Sequence, residues 1–243
     1  MVETETRVTT RYGSMPTFTV QPQGNGPWPA VILLMDAPGI REELRNHARR
    51  IARQGYYCLL PDLYYRLGLL RFDLPRRDDA MSALVGAAFR SITDAATRDD
   101  CAGLLSFIAA QDAAADGAVG VVGYCMSGRS AVVAAAAFPT RIKVAASLYG
   151  VRLVTDEADS PHLHLNDIAA TLYFAFGELD KATPKEQVER LRGALTDAGR
   201  SFELDVFTGA DHGFMFAEGR NHAPQASEQA WSRALGMLAR HLK

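Results

Sequence analysis

The sequence predicts an α/β fold, a mostly parallel central sheet with helices on both faces, in a single domain over residues 1–243. Three observations predict it. Short continuous apolar runs recur along the chain, as strands covered on both faces require. Segments with helical spacing alternate with those runs. The third is Val119-Gly120-Val121-Val122-Gly123-Tyr124-Cys125-Met126-Ser127-Gly128, where a valine-rich run stops abruptly and an alanine-rich helix begins. So sharp a turn needs small neighbours, because strand and helix nearly touch, and it lifts the apical side chain above the sheet. The apical side chain here is the Cys125 thiol. Ser127 stands where a second glycine is usual and Gly128 follows it; serine is small enough to fit. The plainer reading of Cys125 is a buried structural cysteine.

The elements follow in order. Residues 4–11 and 16–21 read as an antiparallel edge hairpin about Gly13, and 21–29 as a loop rich in glycine and proline. Residues 30–35 are a central strand ending in the loop Asp36-Ala37-Pro38-Gly39-Ile40. A helix over 42–54 is closed by Gly55, and 56–60 form the next strand, stopped by Pro61-Asp62. Residues 63–91 are an excursion from a strand's carboxyl end with one helix over 78–88. Open α/β sheets bind ligands at that end, so the segment is a lid or substrate-lining candidate as well as a solvated connection. Helices are expected over 93–110, after the elbow, over 184–198 and over 227–241, and strands over 142–148, 171–176 and 202–207. Residues 151–167 read as loop. Cys101 belongs to the core.

Composition narrows the function classes. Hydrophobic residues make up 48% of the chain and net charge is −2. No apolar run approaches the ~18–20 residues of a membrane span, residues 1–10 lack a signal-peptide core, and nothing favours nucleic acid or an anionic membrane. Three cysteines without metal spacing argue against a disulfide framework. A reducing cytoplasm is the expected location, one that keeps a reactive thiol reduced. His162 and His164 stand alternately, but Pro161 and Asn166 make this a loop, and no cluster completes a metal site. No dinucleotide or phosphate-loop pattern occurs, so no cofactor is expected. A monomer or a homodimer is expected.

Three polar residues lie past the carboxyl ends of three strands, in the order Cys125, Asp180, His212. A free thiol is only partly ionised at neutral pH. An adjacent imidazole takes its proton and later protonates a leaving group, and a carboxylate on the other ring nitrogen fixes the tautomer. Asp180 also reads as a cap for the helix near Pro184. Glu178 is a rival on the same loop, and Asp211 adjoins the histidine. Oxyanion donors would be the N–H of Met126, at a helix N-terminus, and that of Ala37, since Pro38 has none.

With these residues in view, the chain resembles the dienelactone hydrolase family, thiol-bearing enzymes of the α/β-hydrolase fold. The resemblance rests on Gly123-Tyr124-Cys125, on Gly55-Tyr56 through Leu60-Pro61-Asp62-Leu63-Tyr64, on Asp180 within Gly177-Glu178-Leu179-Asp180-Lys181-Ala182-Thr183-Pro184, and on Asp211-His212-Gly213-Phe214. It implies hydrolysis of a small ester or lactone through an acyl-cysteine. It also implies a carboxylate after the first central strand that restrains the resting thiol; Asp36 holds that place where the family typically has glutamate. The family's substrate-gripping arginine after the histidine is missing: Gly213-Phe214-Met215-Phe216-Ala217 precedes the first arginine, Arg220. That predicts an apolar wall and a substrate other than dienelactone itself. Tyr124, Tyr64, Arg129 and Phe214 are substrate-binding candidates, with Arg71 and Arg76 as further cations. The alternatives are a silent small-molecule-binding protein on the same fold, a hydrolase of thioester, peptide or carbon–halogen bonds, and an oxidation sensor at Cys125.

Overall fold

A computed structural model describes residues 1–243, which gather into two compact units, 1–117 and 118–243. In the first, β1 (Val2–Thr10) and β2 (Gly13–Gln21) pair antiparallel. β4 (Tyr57–Pro61) lies antiparallel to β2 and parallel to β3 (Trp28–Leu34), giving the order β1-β2-β4-β3. All of β4 and the last five residues of β3 are buried, as their unbroken apolar runs require.

Helix α1 (Glu42–Arg53) packs on β2 and β4 and buries Leu44, Ala48, Ile51 and Ala52. Gly55, with φ 87°, ends it in the left-handed turn expected of a helix stop. Its arginines serve the hairpin: Arg45 and Arg49 lie 5.4 and 5.7 Å from the Phe18 ring centre and pair with Glu5 and Glu3. Two 3-10 turns follow β4 (Tyr65–Leu67 and Leu74–Arg76), then α2 (Asp79–Arg90) and α3 (Asp94–Ala109). Both helices have side-chain caps: Asp78 accepts from the Met81 N–H and Thr93 from the Ala96 N–H. Arg66 and the Tyr65 hydroxyl both donate to the buried Asp100 of α3, fixing the start of the excursion. Cys101 is buried on α3, and burial, helped by the Asp100 charge, pushes its thiol up to about 12.

The second unit is wholly parallel. β5 (Ala114–Tyr124), β6 (Ile142–Leu148), β7 (Thr171–Gly177) and β8 (Phe202–Phe207) lie in sequence order. β5 begins at Ala114, ahead of the valine-rich run, with a register irregularity at Val119/Gly120. Helix α4 (Met126–Ala137) packs on β6 and buries every residue from Met126 to Ala135. Alanine suits a helix buried all round, which shows no amphipathic stripe.

Residues 151–167 contain two 3-10 turns, Pro161–Leu163 and Leu165–Asp167, in the predicted loop. α5 (Lys185–Asp197) is closed by Gly199 at φ 62°. α6 (Pro224–Leu242) packs on β6 and β7 through residues that include Trp231 and Leu238. It starts three residues before the expected 227, because Pro224, which lacks an N–H, is well placed in a first turn. Since β5 to β8 are parallel, the loops after them leave from one edge, and these loops carry the candidate site residues Cys125, Asp180 and His212.

Candidate active site

The turn between β5 and α4 is as abrupt as the sequence implies. Cys125 has φ 53° and ψ −115°, a backbone region that costs a residue with a Cβ roughly 1–3 kcal/mol. Three backbone bonds hold it there: Cys125 N–H to Leu148 O (3.0 Å), and Gly128 and Val151 N–H to Cys125 O (3.0 and 3.1 Å). A Cβ at Gly123 would stand 2.0 Å from Ser127 O, and one at Gly128 2.4 Å from the Gly150 Cα. So the two glycines answer two separate close approaches, and the buried Ser127 fits between them. Cys125 is half-buried whereas Cys58 and Cys101 are buried, which leaves Cys125 the most accessible of the three thiols.

Asp180 and His212 meet beside this turn. The buried Asp180 carboxylate places Oδ2 2.8 Å from His212 Nδ1 and accepts the Ala182 N–H on Oδ1 at 2.8 Å. It therefore orders its own loop as well, although Pro184, not Asp180, is the capping residue of α5. The rival carboxylates are engaged elsewhere: Glu178 Oε2 accepts the Gly209 N–H (2.9 Å), and Asp211 Oδ1 accepts the backbone N–H of His212 (2.6 Å). Burial works against an imidazolium at His212. It is outweighed by the hydrogen bonds to Asp180 and Cys125 and by the charges of both, and the pKa is pushed up to about 10. With Nδ1 given to Asp180, Nε2 is the ring nitrogen left for proton exchange.

The surroundings are aromatic. The Tyr149 ring stands edge-on to His212 at 5.2 Å and to Phe214 at 5.4 Å, and Tyr124 packs against Tyr149 and Phe216. Phe214, Met215 and Phe216 are all buried, as an apolar segment after the histidine implies. Asn221 donates to the His212 carbonyl at 2.9 Å and secures the loop.

The other candidates are found as follows. Met126 is the first residue of α4, with its N–H at the helix N-terminus. Tyr124 and Phe214 are fully buried members of the aromatic cluster. Arg129, expected as a cation for substrate, is buried; it donates to Arg152 O (2.7 Å) and Asp159 O (3.1 Å) and pairs with the Asp159 carboxylate (3.3 Å). In the first unit, Asp36 takes a two-pronged grip from Arg41 at 2.6 and 2.9 Å, and the Tyr64 hydroxyl donates to Ala37 O at 2.7 Å. Arg71 pairs with Asp62 and Arg76 with Asp73. His162 bonds the buried Ser160 hydroxyl through Nδ1 (2.7 Å), and His164 lies 3.8 Å from Asp167. Sequence reasoning missed Arg41 and Tyr149. The five-residue spacing of Asp36 and Arg41 was a signal for the first; a tyrosine with left-handed backbone leaves none.

A family model described as the dienelactone hydrolase family matches residues 15–242. The chain belongs to the dienelactone hydrolase family. Its architecture is the α/β-hydrolase fold, and family membership makes it dienelactone hydrolase-like. One relative, from Methylorubrum extorquens, carries the name "Putative carboxymethylenebutenolidase"; it is 25% identical over 237 residues, which is 96% of this chain and 79% of that protein. A protein of the same name from Escherichia coli K12 is 27% identical over 95% of this chain and 84% of its own. A crystal structure described as a "Putative Dienelactone Hydrolase" from Klebsiella pneumoniae superposes with a TM-score of 0.88 at 27% identity, covering 99% of both chains. In this dienelactone hydrolase family member no helix is long and apolar enough to cross a membrane.

Proposed function

We propose that this protein hydrolyses a small ester or lactone with Cys125 as nucleophile, His212 as proton carrier and Asp180 as its orienting carboxylate. The observation that carries the reading is the pairing of two features: a cysteine held in left-handed backbone at a strand–helix turn, and a histidine whose Nδ1 is bonded to a buried aspartate and whose pKa is raised in part by that cysteine. The raised His212 pKa keeps the ring a proton donor above neutrality, as a general acid for the leaving group requires.

The steps follow from those positions. The Cys125 sulfur attacks the carbonyl carbon and the carbonyl π pair moves to oxygen. The Met126 N–H at the α4 N-terminus steadies that oxyanion, with the Ala37 N–H, from the loop after the first central strand, as the second donor expected from the sequence. The intermediate collapses with loss of the alkoxide, which takes the His212 Nε2 proton. Neutral His212 then accepts a proton from water as the water oxygen attacks the thioester. Departure of the thiolate returns the carboxylic acid and the imidazolium–thiolate pair.

Arg129 is bound to backbone carbonyls and the segment after His212 is apolar, which supports a neutral substrate over one with a carboxylate. The reading calls for no cofactor and suits a reducing compartment. Hydrolysis of short-chain p-nitrophenyl esters and simple lactones tests it. Wild type is expected to turn over at least one of them and Cys125→Ala none. Equal rates in the two proteins would refute it.

A further inference from the structure

Three non-glycine residues of the chain have left-handed backbone: Cys125 (φ 53°), Tyr149 (φ 40°) and Arg152 (φ 57°). Tyrosine and arginine have no local preference for that region, so surrounding structure must impose it, and such strain gathers at functional sites. These three are joined. Cys125 donates its N–H to Leu148, the residue before Tyr149, and its carbonyl accepts the N–H of Val151, just before Arg152. Tyr149 donates its N–H to Ala175 O of β7 at 2.6 Å. Gly150 approaches Gly128 so closely that a Cβ on Gly128 would lie 2.4 Å from its Cα. Arg129, on the first turn of α4, closes the ring by donating to Arg152 O and Asp159 O.

The geometry points to the turn Tyr149–Arg152 as a positioning clamp for the cysteine and the histidine, with Tyr149 setting the imidazole through its ring edge and Arg129 pinning the turn to α4. Val151 reaches the nucleophile's own carbonyl, and the Tyr149 ring reaches His212 at 5.2 Å with an interplanar angle of 69°. Edge-to-face pairs of this kind have a preferred geometry, so the ring restrains orientation as well as excluding water. The charged or titratable groups around His212 are Asp180 from the loop after β7, Cys125 from the elbow, and Asp211 beside it in sequence. The Tyr149 ring edge fixes the angle at which the imidazole meets Asp180 and Cys125.

The proposal rests on the reading of Cys125 and His212 as a working pair, and its test reads the pair without substrate as well as with it. Tyr149→Leu, Tyr149→Phe and Arg129→Met would be compared by NMR titration of His212 and by steady-state kinetics. Tyr149→Leu is expected to shift the His212 titration downward and to lower kcat roughly tenfold to a hundredfold with KM held within about twofold, because small misplacements of reacting groups are costly. Tyr149→Phe, which keeps the ring, should restore both. Arg129→Met should lower kcat about fivefold through the turn, and it decides the matter if Tyr149→Leu does not fold. A folded Tyr149→Leu with wild-type titration and kcat would overturn the proposal, as would an unaltered Arg129→Met. Failure of the functional reading looks different: Cys125→Ala would retain turnover, whereas the His212 titration in Tyr149→Leu would still judge the clamp.

Discussion

Two aspartates follow apolar parallel strands in the two units, Asp36 after β3 and Asp180 after β7, and they end in different chemistry. Both are buried. Asp36 is gripped on both oxygens by Arg41, five residues on, and the same guanidinium also donates to Gly39 O, so the charge pair closes its own loop. Asp180 gives one oxygen to its loop and the other to His212, which arrives from a different strand end. The difference lies in the partner. A guanidinium stays charged at any working pH and passes no proton, whereas an imidazole can gain and lose one. A strand-end carboxylate is therefore a site for proton chemistry only when folding supplies a titratable cation.

Removing the groups proposed to react should have the largest effect. Cys125→Ala and His212→Ala are each expected to lower kcat at least about a thousandfold, since groups acting as a unit fail together. Steady-state kinetics on an active ester would reveal any lesser loss.

Next comes Asp180→Asn, which keeps the shape and removes the charge. A fall in kcat of roughly a hundredfold to ten-thousandfold is expected, with His212 titrating well below its present value of about 10 and nearer its ordinary 6.5. The sign for stability follows from the same shift. A pKa raised by folding stabilises fully below the unfolded value and ceases to do so as pH rises through the folded one. The pair should thus contribute stability at pH 6 and lose it approaching pH 10. Urea melts across that range, wild type against Asp180→Asn, would show the gap closing; a constant gap would contradict the account.

Asp36→Asn should be milder and of another kind. Removing the Asp36 charge, with Arg41 still paired to Glu43 at 3.5 Å, is expected to cost about 1–3 kcal/mol. That cost should be the same at pH 6 as at pH 8, because the arginine keeps its charge. Asp36→Ala also tests the thiol-restraining role that the family resemblance implies, through the pH profile of Cys125 alkylation. An unchanged profile would remove Asp36 from the mechanism. The smallest effect belongs to Glu178→Gln on the exposed loop: kcat within about twofold and stability within about 0.5 kcal/mol.

What was legible in the sequence were features that a local pattern must carry. A valine-rich run ending at Gly123 and followed by small residues gives away the elbow, because two backbones cannot approach so closely otherwise. The two strands after it were readable as apolar runs and the last, 202–207, by its alternation, and Asp180 and His212 could be placed because parallel strands send their loops to one edge. What was hidden depends on packing. Nothing local marks Tyr149 or Arg152 for left-handed backbone, and nothing in the sequence distinguishes Arg129, which ties a turn through backbone carbonyls, from an arginine open to a ligand. The start of α6 at Pro224 was missed although the proline was visible, since proline in a first turn marks a helix start.

The most direct test of the central claim is intact-mass spectrometry during turnover of a short-chain p-nitrophenyl ester, with wild type, Cys125→Ala and His212→Ala side by side. The account predicts an acyl adduct on wild type that localises to Cys125, builds up and decays. The adduct should be absent in Cys125→Ala and, where it forms in His212→Ala, should outlast the wild-type species. Turnover with no adduct on Cys125, or an adduct that survives the loss of that thiol, would contradict it.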